Sequence, residues 1–296
     1  MITATFLDEI NIDIPSANWG PEEWARDFAA MKSDGIDTVV LARGGQGDRA
    51  TFDALSLRKL HPNLIVQEDL VAVFLSLAEL HDMQLWIGTY HTSGESETLD
   101  VNVNLAFVDE VWERYGRSRA FRGWYVGTRI DTANEKELVA LQALSKHLKS
   151  LSALPVLVSP RLDRTKLLAG KSGWQEHESA WSETFERLES MAAVVLLQER
   201  GVPSAELPEY LALTSRLARA HGLEAWVNVE SLDRDAKIEY MPIAWPKLRS
   251  KMDAALASGA NKLITFEYSH FLSPHSMFHS AHTLHKRYRE WLAARK

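Results

Sequence analysis

The chain of 296 residues has no cysteine, which excludes disulfides, thiolate nucleophiles and cysteine-based zinc or iron–sulfur centres. Nor does it contain a run near the roughly 18 apolar residues of a membrane span. Basic residues are not in excess: 33 Lys and Arg stand against 40 Asp and Glu, for a net charge of −7. No basic stripe is therefore available to release counterions from nucleic-acid phosphates, and neither nucleic acid nor membrane is expected as a partner. The opening MITATFLDEINIDIP lacks a basic segment followed by an apolar one, so no secretory signal is read and a cytoplasmic location is expected. Linkers and low-complexity segments are also missing, which favours one domain over residues 1–296.

Several catalytic signatures are absent too. Gly44-Gly45-Gln46-Gly47 lacks the Lys-Ser/Thr ending of a phosphate loop, and neither a GxSxG elbow nor an HExxH pair occurs. His275, His279 and His282 share a helical face with no carboxylate among them, so a mixed surface helix is expected rather than a metal site. No metal or cofactor is expected.

What the chain does have is regular alternation. Short apolar runs recur at 2–10, 36–43, 84–90, 121–129, 154–160, 192–199, 223–231 and 261–269. Many are near-continuous in Val, Ile and Leu, as strands buried on both faces require. Between them, apolar residues fall at helical spacing, as in Trp24, Phe28 and Met31, or Trp181, Phe185 and Leu188. Asp34-Gly35, His221-Gly222 and Ser258-Gly259 each put a glycine where a helix must stop before the next strand. Eight such units predict a parallel sheet closed into a single (β/α)8 TIM barrel.

Barrels of this kind work at the C-terminal ends of their strands, and that rule selects candidate residues. The first strand ends in Asp8-Glu9, the second in Arg43, the third in Tyr90-His91, and the fourth carries Trp124, Tyr125, Arg129 and Asp131. Glu199 ends the sixth, Asn228 and Glu230 the seventh, and Glu267 and His270 follow the eighth. Neighbouring strands lie about 4.8 Å apart, so Glu199, Glu230 and Glu267 are expected to converge. Paired carboxylates suit glycoside hydrolysis, in which one acid protonates the leaving group and the other attacks or activates water. Glu230 is the expected nucleophile or base, with Glu267 or Glu199 as proton donor. Glu9, Arg43, Tyr90, Trp124, Tyr125, Arg129, Asn228 and His270 are expected to bind a carbohydrate substrate, and ten tryptophans supply stacking surfaces. Glu9 could instead pair with Arg43. Two rival readings stand beside this one: a metal-dependent sugar isomerase or epimerase using Glu199, Glu230, Glu267 and His270, and a catalytically silent sugar-binding barrel.

The segments at 5–41, FVDEVWERYG (107–116), FRGWY (121–125), LPEYLAL (207–213), WVNVESLDRD (226–235) and ITFEYSHFLSP (264–274) resemble a bacterial family defined as a domain of unknown function, DUF4434. The family is regarded as glycoside-hydrolase-like. The resemblance implies a carbohydrate-active TIM barrel with Glu9, Glu230 and Glu267 at matching motif positions. Related barrels tend to follow the GWY element with an acid, whereas here the run is Gly127-Thr128-Arg129-Ile130-Asp131. Either Asp131 or Glu199 takes that acid's role, or the activity differs or is lost.

Overall fold

The computed structural model describes residues 1–11, 13–14, 17–92, 99–131, 134–161, 171–199, 202–233 and 240–295; the side chains at 128–131, 161 and 171–173 lie outside that description. Eight parallel strands close into a barrel: β1 (Ala4–Leu7), β2 (Thr38–Leu41), β3 (Gln84–Gly88), β4 (Phe121–Asp131), β5 (Val156–Arg161), β6 (Val194–Gln198), β7 (Glu224–Asn228) and β8 (Lys262–Thr265). Their order around the barrel is their order in the chain, and β8 pairs back onto β1 with Ala4 opposite Ile264. The eight apolar runs of the sequence are these eight strands.

One main helix follows each strand: α1 (Pro21–Ser33), α2 (Leu70–Leu80), α3 (Val101–Tyr115), α4 (Glu135–Leu151), α5 (Lys171–Leu188), α6 (Leu207–Ala220), α7 (Trp245–Ala257) and α8 (His279–Ala293). Their ends obey local rules. Asp69 accepts the Ala72 N–H at the start of α2, and Asp100 does the same for Val103 in α3. Gly35, Gly222 and Gly259 take φ of +89°, +72° and +73° after α1, α6 and α7, the left-handed conformation expected of them.

Alternation along the strands sorts the apolar side chains into two layers. Phe6, Val40, Trp86, Tyr125, Leu157, Leu196, Trp226 and Ile264 fill the barrel. A larger layer, with Leu7, Val39, Ile87, Trp124, Val158, Val195 and Val227, packs between barrel and helices. Trp86 and Trp226 meet inside the barrel at 5.1 Å between ring centroids. Room for the Trp86 indole comes from Gly123, where a Cβ would fall 2.2 Å from a ring carbon.

The ends of the chain are locked to each other. Asp34, after α1, accepts hydrogen bonds from Tyr268 Oη at 2.6 Å, His285 Nε2 at 2.8 Å and Arg289 Nη1 at 2.8 Å. Tyr288 Oη accepts the Ile2 N–H at 3.1 Å. His285, on α8, is thus a structural pin. Among the described residues no helix is long and apolar enough to cross a membrane.

Candidate active site

The barrel mouth is built from what each strand presents just above the apolar filling. Three inward positions are linked in a row: Asn228 Nδ2 donates to Gln198 Oε1 at 2.8 Å, and Gln198 Nε2 donates to Ser159 Oγ at 3.2 Å. Asn228 Oδ1 is buried and accepts nothing from the described residues, which leaves it available to a hydroxyl donor.

Glu230 follows Asn228 by two positions and is buried at 7% exposure. Its main-chain N–H donates to Glu199 Oε1 at 3.0 Å, and Lys251 Nζ on α7 reaches the same oxygen at 2.7 Å. Burial pushes the Glu199 carboxyl up to about 7; the Lys251 ammonium opposes this and the Glu230 charge adds to it. The two acids are therefore neighbours, with Glu199 anchored at its partner's backbone.

The chain leaves β8 through a cis peptide between Phe266 and Glu267 and enters a single helical turn, Tyr268–Phe271. Glu267 is 1% exposed. Its Oε1 accepts the His270 main-chain N–H at 3.1 Å and is also bonded to His270 Nδ1. The other ring nitrogen, Nε2, lies 3.9 Å from Glu9 Oε2, while Glu9 Oε1 accepts the Asn18 N–H at 3.2 Å. Glu267 therefore turns toward β1. From the β7 side, Ser231 Oγ donates to the Glu267 carbonyl at 3.0 Å.

Beside this group sits an ion pair, Arg43 Nη1 to Asp8 Oδ2 at 2.9 Å, with Asn11 Nδ2 donating to the same oxygen at 2.8 Å. Burial raises the Asp8 carboxyl above its ordinary range, against the pull of Arg43 and Asn11. Arg43 thus pairs with Asp8, one residue before the partner considered from sequence. Beneath the helical turn lies Asp27 of α1, fully buried, accepting from Ser269 Oγ at 2.6 Å and from Ser273 Oγ. Burial pushes Asp27 up to about 7 in spite of both hydroxyls.

Two expected sugar-binding residues are corrected. Trp124 is fully buried in the layer facing the helices, its ring against Phe121 at 4.7 Å and Trp112 at 6.4 Å, and its Nε1 donates to Ser152 Oγ. Tyr90 belongs to that same layer, and its hydroxyl bonds His61 and the Gly47 carbonyl. Alternation sends the next residue the other way in each case. Tyr125 packs inside the barrel on Phe6 at 5.3 Å. His91 lies over Gly127, where a Cβ would come within 2.1 Å of its Nε2. Burial, and secondarily the Arg43 charge, holds His91 down to about 3, so it is a neutral imidazole at the mouth.

His91 and Asp8 were named at their strand ends but given no role, and Asp27 and Lys251 were not singled out from sequence. His91 and Asp8 adjoin chosen residues, and strand parity was the signal that separates them. Asp27 and Lys251 sit on helices and carry no such mark. The side chains of Arg129 and Asp131 lie outside the described residues. Among the described residues no three His, Asp or Glu side chains are grouped to hold a metal ion.

The chain is thus a closed (β/α)8 barrel with buried carboxylates at its strand ends. The chain belongs to the family described as Domain of unknown function (DUF4434), whose model matches residues 2–278. It is similar to a solved structure from Bacteroides thetaiotaomicron VPI-5482, described as a "putative alpha-L-fucosidase", at 37% identity over 98% of this chain and 92% of that one, with a TM-score of 0.89. The fold is shared with the endo-beta-1,4-mannanase from Thermotoga petrophila, at 11% identity over 90% of this chain and 67% of that one, TM-score 0.60. It is shared likewise with the GH99 endo-alpha-mannosidase from Bacteroides thetaiotaomicron, at 12% identity over 88% of this chain and 70% of that one, TM-score 0.55. No curated protein matches the chain to a significant degree.

Proposed function

We propose that this barrel hydrolyses a glycosidic bond in a small glycan or oligosaccharide, with Glu230 as the nucleophile or the base that activates water. The observation that carries the reading is Glu230 itself, a buried carboxyl at the end of β7 beside Glu199, two positions past the inward-facing Asn228. Carboxyls on adjoining strand ends can divide the labour of attack and leaving-group protonation. Glu199, pushed up to about 7, and the Glu267 group on β8 are the neighbouring acids. Arg43, Tyr125, neutral His91 and Asn228 supply hydrogen-bonding and stacking groups for the sugar.

Fucosides are the first substrates to try, because the chain 37% identical to this one is described as a "putative alpha-L-fucosidase". The test is turnover of a panel of aryl glycosides and oligosaccharides by the purified protein. Glu230→Gln should lower kcat by roughly 1,000-fold or more while circular dichroism stays unchanged. A wild type that turns over nothing on the panel would overturn the reading.

The sequence of β4 favours a second reading. Arg129 stands near the place where an acid is expected, and the first carboxylate of the run is Asp131, which suits a barrel that binds sugar without cleaving it. In that case Glu230→Gln would bind the same glycan with unchanged affinity by calorimetry.

A further inference from the structure

The acids around Glu230 differ in how fully their oxygens are engaged. Glu199 Oε1 already accepts from both Lys251 and the Glu230 amide. Asp8 Oδ2 is held by Arg43 and Asn11. Glu267, the most buried at 1% exposure, is bonded through Oε1 to the main chain and ring of His270. A carboxylate in that position fixes the imidazole and stabilises its protonated form, as it does wherever a histidine is oriented by an acid.

The orientation is informative. With Nδ1 committed to Glu267, the opposite nitrogen, Nε2, lies 3.9 Å from Glu9 Oε2, an ion-pair separation longer than a hydrogen bond. The ring is itself 2% exposed, so it cannot exchange protons freely with bulk water. Its turn is clamped from behind by Asp27, which receives the hydroxyls of Ser269 and Ser273. The result is a line of groups, Glu267 to His270 to Glu9, running from the buried end of β8 to the end of β1, with Glu9 at the less buried end.

We propose that Glu267, His270 and Glu9 form a proton relay and that Glu9 is the group that protonates the leaving oxygen, a role that rests on the hydrolase reading above. The protonated Glu9 carboxyl gives its proton to the glycosidic oxygen as the bond to the anomeric carbon breaks, and the bonding electron pair stays on that oxygen. Glu230 supplies the attack on the anomeric carbon, directly or through water. One water is consumed in all, its hydroxyl ending on the anomeric carbon and its proton returning to the acids. His270 Nε2–H replaces the proton Glu9 has given up, and the Glu267 carboxylate stabilises the imidazolium that carries it. Glu267 and His270 are positioning and relay groups, and of these three residues only Glu9 meets the substrate.

The experiment compares substrates that need protonation with substrates that do not. Glu9→Gln should lower kcat about 100-fold or more on glycosides with alkyl or sugar leaving groups, but less than ~5-fold on a glycosyl fluoride or 2,4-dinitrophenyl glycoside. Histidine-labelled NMR supplies a readout that needs no turnover. In Glu9→Gln the titration midpoint of His270 should shift by about half a pH unit or more, because the acid that titrates together with it is gone. Equal loss on both substrate classes would make Glu9 a binding residue and overturn the assignment. An unchanged His270 titration would overturn the relay. A wild type that hydrolyses no glycoside overturns the hydrolase reading and the donor role together, while the NMR titration still reports separately on the coupling of His270 to Glu9.

Discussion

Lys251 Nζ lies 2.7 Å from Glu199 Oε1, an ion pair that ties an outer helix to the strand end next to Glu230. Lys251→Met leaves a buried carboxyl without its cation. Above pH 7, where Glu199 is ionised, the loss should be about 1–3 kcal/mol in urea unfolding. Below about pH 6, Glu199 with its value near 7 is already protonated, the pair is not formed, and the same substitution should cost much less. Equal destabilisation at pH 5.5 and 8 would contradict this.

Asp27 makes a second pH-dependent prediction. Its carboxyl is pushed up to about 7 by burial, whereas an unfolded chain ionises it near 4. The folded state thus binds the proton more tightly, and its contribution to stability is full below pH 4 and lost as pH rises toward 7, at up to ~1.4 kcal/mol per pH unit. A neutral side-chain amide at this position would mimic the protonated acid. Asp27→Asn should therefore gain in melting temperature relative to wild type as pH goes from 5 to 8, and a constant difference across that range would refute the shift.

Gly127 is required by contact. A Cβ there would come within 2.1 Å of His91 Nε2 and 2.8 Å of the Ala42 carbonyl oxygen. Gly127→Ala should displace the His91 ring and destabilise by about 1–3 kcal/mol, the usual cost of overpacking. Gly127→Ala paired with His91→Ala should recover part of that loss in thermal melts, since the larger clash is removed.

Trp124 and Tyr125 separate stability from binding although they are adjacent. Trp124→Phe removes the Nε1 bond to Ser152 and part of a fully buried ring. It should cost about 1–3 kcal/mol of stability with sugar affinity unchanged. Tyr125, inside the barrel at 6% exposure, should alter glycan affinity when changed to Phe. Isothermal titration of both variants decides between these assignments.

Much of the fold was legible because its signals are local. Apolar runs, helical spacing and glycine stops act over a few residues, and Gly35, Gly222 and Gly259 do terminate their helices in the left-handed conformation. The strand-end rule also picked out Glu9, Glu199, Glu230 and Glu267, all of which are buried just past their strands. Strand parity was harder to read. Tyr90 and His91 are both plausible at a strand end, yet one residue's difference sends Tyr90 to the helix layer and His91 over Gly127. Glu267 was expected to stand with Glu199 and Glu230, and its engagement by the ring and main chain of His270 was not part of that expectation.

The sequence by itself determined a barrel of eight βα units, because buried parallel strands and amphipathic helices follow from hydrophobic periodicity alone. Only the tertiary structure decided which acids are partners. Asp8 with Arg43, Glu199 with Lys251, Asp27 with Ser269 and His270 with Glu9 join residues between 35 and 261 positions apart or on separate elements. Such pairings depend on closure of β8 onto β1 and on how the helices pack around the barrel. A carboxylate's charge state and role are set by the desolvation and neighbours it meets there, and nothing local in the chain encodes them.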